Sequence, residues 1–262
     1  MEAPLEAVNV AIEGLASASP AVSLTAAGLS WLAGKLVILQ GFDLCLSPGT
    51  VTGLIGPNGA GKSTAIDLLS GFREPASGSV QLLGKDVTRL SADQRTRLGL
   101  ARTFQESPMI PGLSVREHVQ LALEAGGRRR SKLQARDLLD SVGLGLMTQA
   151  AAETLPIGKR RMLDVARALG TAPRILLLDE PFAGLEREDE ANLTRIIEEQ
   201  RAAGTAILIV EHRLALLGDV AETVLVLVEG KPVTQGPLEE VLKDERVQRA
   251  YLRASGSNQE SS

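Results

Sequence analysis

Val51-Thr-Gly-Leu-Ile-Gly-Pro-Asn-Gly-Ala-Gly-Lys-Ser-Thr64 is the stretch whose reading decides the fold. An alternating, mostly apolar run from Val51 to Ile55 feeds a glycine-rich turn, and Ala65-Ile-Asp-Leu-Leu69 then continues as helix. Strand, G-x-x-x-x-G-K-[ST], helix is the pattern of a phosphate-binding loop. Gly56, Gly59 and Gly61 permit a tight turn whose N–H groups converge inward, where a polyphosphate accepts from several at once. The helix opening near Lys62 aims its unpaired N–H groups and the positive end of its dipole at the same point. Lys62 can reach β- and γ-phosphates as a point charge, and Ser63 can offer its hydroxyl to Mg²⁺. Pro57, Asn58, Ala60 and Thr64 complete the candidate cradle.

Composition removes several alternatives. Hydrophobic residues make up 44% of the 262 positions and aromatics 2%, so the expected core is large and aliphatic. A formal net charge of −4 argues against bulk attraction to nucleic acid or anionic lipid. Cys45 is the single cysteine; it cannot form an internal disulfide and reads as a small buried strand residue. No apolar run approaches the roughly 18 residues that span a bilayer. Glu2 and Glu6 stand where a secretory signal would be basic. The expected location is cytoplasmic, with any membrane association made through a protein partner.

Outward from the loop, residues 1–20 read as a loosely held extension. Strands are predicted over Val22–Leu32, Lys35–Leu39 and Phe42–Leu46, before a Pro48-Gly49 turn. On the other side Gly71 is placed to cap the helix, and Gly78 to Gly84 reads as a strand. Ser91 opens a short helix, and Gly99 to Gln105 is extended. Ser114 and Glu117 make a capping box at the head of an amphipathic helix reaching Glu124. Arg128-Arg129-Arg130 reads as a solvated basic loop, and Lys132–Val142 and Lys159–Leu169 as helices. The chain then gives a strand (Arg174–Asp179), a charged helix (Arg187–Ala203) and a second strand (Thr205–Val210). A hairpin (Val224–Val228, turning at Glu229-Gly230), a helix (Leu238–Leu252) and a polar tail from Gly256 finish it. Both late strands are unbroken apolar runs, as expected for parallel strands covered on both faces. Strand–helix alternation around a helical middle third predicts an α/β sheet with a helical insertion.

Ile175-Leu-Leu-Leu-Asp-Glu-Pro181 puts two carboxylates at the C-terminal end of a buried strand, where ligands of open parallel sheets gather. Asp179 is the candidate magnesium carboxylate, and Glu180 the candidate general base that polarises the attacking water.

From Val22 to Leu252 this ordered set resembles an ABC-transporter ATPase subunit. The resemblance implies an α/β P-loop NTPase (RecA-like) fold: a parallel-sheet core, an antiparallel β-subdomain and a helical subdomain over about 106–170. It implies an ATP-binding domain at 21–254, and the polar composition of 255–262 reads as a disordered tail. Thr103-Phe-Gln105 resembles the Q-loop, whose glutamine senses the γ-phosphate and Mg²⁺. Leu155-Pro-Ile-Gly-Lys159 sits where the signature belongs, with Gly158 left for backbone approach to nucleotide. Ala183-Gly-Leu-Glu186 resembles the D-loop, and His212 the switch histidine. So Glu180, His212, Gln105 and Lys62 are the implied catalytic set, and Ser63, Gln105 and Asp179 the implied magnesium set. His118 reads as structural.

The wording of Gly99-Leu-Ala-Arg-Thr-Phe-Gln105, Glu180-Pro-Phe-Ala-Gly-Leu185, Val210-Glu-His212 and Arg249-Ala-Tyr-Leu252 is similar to ATPase subunits of branched-chain or neutral amino acid, amide and urea uptake systems. That implies ATP hydrolysis driving import. The alternatives are the ATPase of lipopolysaccharide export, which is similar over Asp179-Glu-Pro-Phe-Ala-Gly184, and a weakly hydrolysing regulatory subunit. The implied partners are a second, head-to-tail ATPase subunit and membrane permeases docking within Glu106–Leu113; neither nucleic acid nor direct membrane insertion is expected.

Four positions depart from the family pattern. Pro156 replaces the signature serine, offering neither hydroxyl nor N–H, and Lys159 replaces its glutamine. A signature completes the partner's site in such dimers, so the expected partner is non-identical and the two sites unequal. The adenine-stacking aromatic would fall at Ala33; Trp31, on the same strand face, either stacks on adenine or packs against the small sheet. The D-loop aspartate is Glu186.

Overall fold

The computed structural model describes residues 23–105, 108–127 and 132–257. In chain order it holds β1 (Leu24–Ala33), β2 (Leu36–Leu46), β3 (Val51–Ile55), α1 (Lys62–Ser70), β4 (Ser77–Leu82), β5 (Lys85–Asp86), α2 (Ala92–Arg97) and β6 (Leu100–Arg102). Next come α3 (Val115–Ala125), α4 (Lys132–Ser141), two short 3₁₀ turns and α5 (Ile157–Gly170). The chain closes with β7 (Ile175–Asp179), α6 (Arg187–Ala202), β8 (Ala206–Val210), α7 (Leu214–Val220), β9 (Thr223–Val228), β10 (Lys231–Gly236), α8 (Leu238–Val241) and α9 (Glu245–Ser257).

Six strands form one sheet in the order β10-β9-β3-β8-β7-β6, parallel throughout except for β10. A separate antiparallel sheet runs β2-β1-β4-β5. The buried strands explain their own composition. Leu176 and Leu178 of β7, with Ile207 and Ile209 of β8, enter a core shared with α3, α5 and α6. Ile175, Leu177, Ala206, Leu208 and Val210 enter a second core against α1 and the antiparallel sheet. A strand wetted on neither face has no polar position in its period of two, hence the unbroken runs. The helices α3, α4 and α5 lie between β6 and β7 in the chain, which is the helical insertion.

Several expectations need correction. The two strands predicted over Lys35–Leu39 and Phe42–Leu46 are one, β2, which passes Gly41 at φ 61° through an irregular register with β1. The predicted Gly78–Gly84 strand ends at Leu82 and turns into β5. Helix α7 was not foreseen. The C-terminal helix is two helices, because Asp244 accepts the Arg246 N–H at 2.8 Å and restarts the chain as an N-cap. Arg246 holds that carboxyl down at about 2. Helix α9 continues through Gly256 to Ser257. The expectations for residues 1–20, for Arg128–Arg130, for Glu106 and Ser107 and for residues 258–262 lie outside the described residues.

Candidate active site

Register places the site. Leu54 of β3 is opposite Val210 of β8, and Val210 is opposite Asp179 of β7. The chain therefore leaves these strands at one edge of the sheet, carrying the glycine loop, Glu211-His212 and Asp179-Glu180 to a common place. Glu180 N–H donates to the Val210 carbonyl at 2.9 Å and fixes the last two together.

The glycine loop is built as its sequence requires. A Cβ on Gly56 (φ 155°) would lie 2.1 Å from the Leu227 carbonyl oxygen, and one on Gly61 (φ 101°) 2.9 Å from that of Ile38. Lys62 opens α1, is 6% exposed, and donates to the carbonyls of Gly56 and Pro57 at 2.7 and 3.0 Å. Burial lowers its pKa, while the Glu180 and Asp179 carboxylates raise it; their influence marks the strand-end acids as its electrostatic neighbours. Asn58, Gly59 and Ser63 are exposed at the mouth, and Thr64 is half-buried.

Glu180 holds the centre. Its backbone sits at φ 47°, a conformation that costs a non-glycine residue of order 1 kcal/mol or more. Gln105 Nε2 donates to its Oε2 at 3.2 Å, and His212 Nε2 lies 3.0 Å from its Oε1. Three residues from three segments, singled out separately in the sequence, thus meet on one carboxylate. Beside it, Asp179 is 2% exposed; burial pushes its carboxyl up, and the Arg102 guanidinium opposes that.

Other predicted residues lie elsewhere. Pro156 is exposed and caps α5, donating nothing; its carbonyl accepts from Arg160 N–H at 2.9 Å. Gly158 packs on the turn at Gly184, where a Cβ would come within 2.8 Å of the Gly184 carbonyl. Lys159 Nζ donates to Asp189 Oδ1 of α6 at 2.8 Å, so the cation that replaces glutamine ties α5 to α6. Glu186 precedes α6 and makes no side-chain cap. Trp31 is half-buried with the Arg73 guanidinium 4.6 Å from its ring centre, at the margin of the second core.

Sequence reading missed the residues that brace the site. Arg95, fully buried, donates to the carbonyls of Leu68, Leu69, Thr88 and Leu90, closing the C-terminal end of α1. Phe104 has its N–H taken by Asp164 Oδ2 at 2.8 Å and its carbonyl by Arg161 at 2.7 Å, so α5 grips the loop one residue before Gln105. The i, i+3 spacing of Arg161, Asp164 and Arg167 was the available signal for a polar buried stripe on α5. His118 is structural as expected: Nε2 accepts from Ile110 N–H at 2.9 Å while Nδ1 lies 3.0 Å from the Ser114 carbonyl.

The donor set suits magnesium. A hydroxyl, a carboxylate and a side-chain amide are hard oxygen donors, and among the described residues no cluster of three His, Cys, Asp or Glu offers an all-protein cage. Magnesium takes few protein ligands and completes its shell with water and substrate phosphates.

Residues 39–183 match the protein family described as ABC transporter. The chain belongs to the ABC transporter family. It is an ATP-binding, ATP-hydrolysing subunit of that family, whose members work as pairs with membrane permeases. Among curated relatives, the chain is 34% identical to the high-affinity branched-chain amino acid transport ATP-binding protein LivG of Escherichia coli over 247 residues, 87% of this chain and 97% of that one. It is 33% identical to the lipopolysaccharide export system ATP-binding protein LptB of Acidithiobacillus ferridurans, covering 83% and 91%. Among solved structures, a nucleotide-free ATP-binding cassette superposes with a TM-score of 0.79 at 25% identity, covering 88% and 98%. The ADP conformation of another cassette gives 0.76 at 26%, over the same shares. No helix among the described residues of this ABC ATPase is long and apolar enough to cross a membrane.

Proposed function

We propose that this ABC ATPase powers uptake of an amino acid or a related small polar solute such as urea or an amide, from the cytoplasmic side of a membrane permease. The observation that supports its mechanism is the shared carboxylate: Glu180 takes Gln105 on one oxygen and His212 on the other, at the mouth of a phosphate loop. Glu180 accepts the proton of a water as its oxygen attacks the γ-phosphorus, and the bond to the ADP oxygen breaks. Lys62, Gln105 and His212 stabilise charge that develops on the phosphoryl oxygens. Ser63, Asp179 and Gln105 would hold Mg²⁺, which when bound neutralises phosphate charge. Glu180→Gln removes the base while keeping the shape; turnover should fall by about a hundred-fold or more with nucleotide still bound. A variant hydrolysing like the wild type would falsify this assignment of the base.

The solute class rests on similarity to LivG, whose name records branched-chain amino acid transport. LptB, at nearly the same identity, favours export as the second reading. A deletion strain separates them. Loss of labelled amino acid, urea or amide uptake supports import; intact uptake with defective surface lipopolysaccharide supports export.

The permease would dock beside the Q-loop. A cavity of about 260 Å³ opens there, with Phe104, Ile110, His118, Leu121 and Arg167 in its lining. Ile110 and Leu121 leave apolar surface exposed around it. The second ATPase subunit is read as non-identical because Pro156 withholds both donors from the partner's nucleotide.

A further inference from the structure

Arg102 ends β6 three positions before Gln105, and its side chain is 8% exposed. Nη1 donates to Asp67 Oδ1 at 2.6 Å and to Ser70 Oγ at 3.1 Å, both on α1, whose first residues are Lys62 and Ser63. Nη2 donates to Asp179 Oδ2 at 3.2 Å. The rings of Phe72 and Phe104 meet edge to face at 5.2 Å, and their centroids lie 5.4 and 5.0 Å from the guanidinium carbon. One planar cation therefore joins the phosphate-loop helix, the acid at the end of β7 and the aromatic residue of the Q-loop.

Its partners differ in need. Asp67 has a second cation, Arg73, at 2.7 Å. Asp179 is bonded by one alone: among the described residues Arg102 is the one side chain that donates to its carboxylate, none donates to Oδ1, and Lys62 is a neighbour by charge only. A fork with two faces satisfies this geometry, since it can bond two separate carboxylates in its plane while aromatic rings lie against it. A lysine offers one point of charge and no flat face. The aromatic below is itself fixed, because both backbone groups of Phe104 are held by α5.

We infer that Arg102 is a positioning residue for magnesium: it anchors Asp179 through Oδ2 and so presents Oδ1 to the ion or to one of its waters. The inference rests on the reading of Asp179 as the magnesium carboxylate. Outer partners of metal ligands of this kind are worth about ten-fold or more in metal affinity.

Binding of a fluorescent ATP analogue to the full chain, titrated with Mg²⁺ and repeated in EDTA, tests it. In the wild type, Mg²⁺ should tighten binding. Arg102→Met should raise the half-saturating Mg²⁺ about ten-fold while leaving affinity in EDTA unchanged within about two-fold. Arg102→Lys, which keeps the charge and carries the test should the methionine variant not fold, should raise it about three-fold. A Mg²⁺ requirement that stays put or drops overturns the inference, as does a parallel loss with and without Mg²⁺, which would mark a merely structural arginine. Wild-type binding indifferent to Mg²⁺ would instead overturn the reading of Asp179 itself, and the role of Arg102 with it.

Discussion

Lys62 is the residue whose surroundings say most about its task. A lysine 6% exposed is costly to keep charged, and burial does lower its pKa. Two carbonyls of its own loop and two neighbouring carboxylates hold it in place as a cation. Those carbonyls bend the loop around the ammonium, so the side chain both shapes the cradle and supplies its charge. Lys62→Ala should weaken ATP binding by roughly 2–3 kcal/mol, since a charged hydrogen bond and the loop's internal tie vanish together. Equilibrium binding of labelled ATP checks this, and an unchanged affinity would remove Lys62 from the nucleotide site. Asp179 illustrates the opposite adjustment, its acid form favoured by burial and its anion by Arg102.

At the scale of elements, α1 is the case where local chemistry and tertiary bracing meet. Gly71 at φ 80° ends it as its sequence predicts, its N–H returning to the last turn, while Arg95 reaches in from α2 to donate to the carbonyls of Leu68 and Leu69. Arg95→Met would take a donor from four carbonyls, of which Leu68 keeps the Gly71 N–H, and should cost about 3–5 kcal/mol. Urea unfolding should show a lower midpoint at constant slope; a loss under about 1 kcal/mol would mean that water replaces the guanidinium. No local pattern announces such a residue, because Arg95 looks like any helix-surface cation until the fold delivers it to Leu68 and Leu69. The same holds for Arg102. By contrast the glycine loop, the capping box of α3 and the acids closing β7 were legible, since each encodes its geometry within a few consecutive residues. The break between α8 and α9 was legible in principle, for aspartate is a preferred N-cap, but a continuous amphipathic pattern concealed it.

For the whole molecule, the organisation of the sheet was readable and the company it keeps was not. Strand order follows from register that only the folded chain reveals, while unbroken apolar runs already declared β7 and β8 covered on both faces. Pro156 is exposed at the tip of α5, on the surface proposed to meet the second subunit. In a reconstituted pair with a non-identical ATPase, Pro156→Ser should raise hydrolysis at the partner's phosphate loop by several-fold, a hydrogen bond being worth about 1 kcal/mol. Site-resolved turnover, with Lys62→Ala silencing this chain's own loop, isolates that effect. Equal turnover at both loops before the change would argue that proline there creates no inequality.

The two grips on Glu180 carry a last consequence. Each oxygen of the carboxylate is engaged by a residue from a different loop, and each keeps a further lone pair with which to meet an arriving water. Gln105 and His212 come from different segments, so the two together set the direction in which the remaining lone pairs face. A small displacement of either loop should therefore re-aim the base and change turnover, with the grip on the phosphates left as it was.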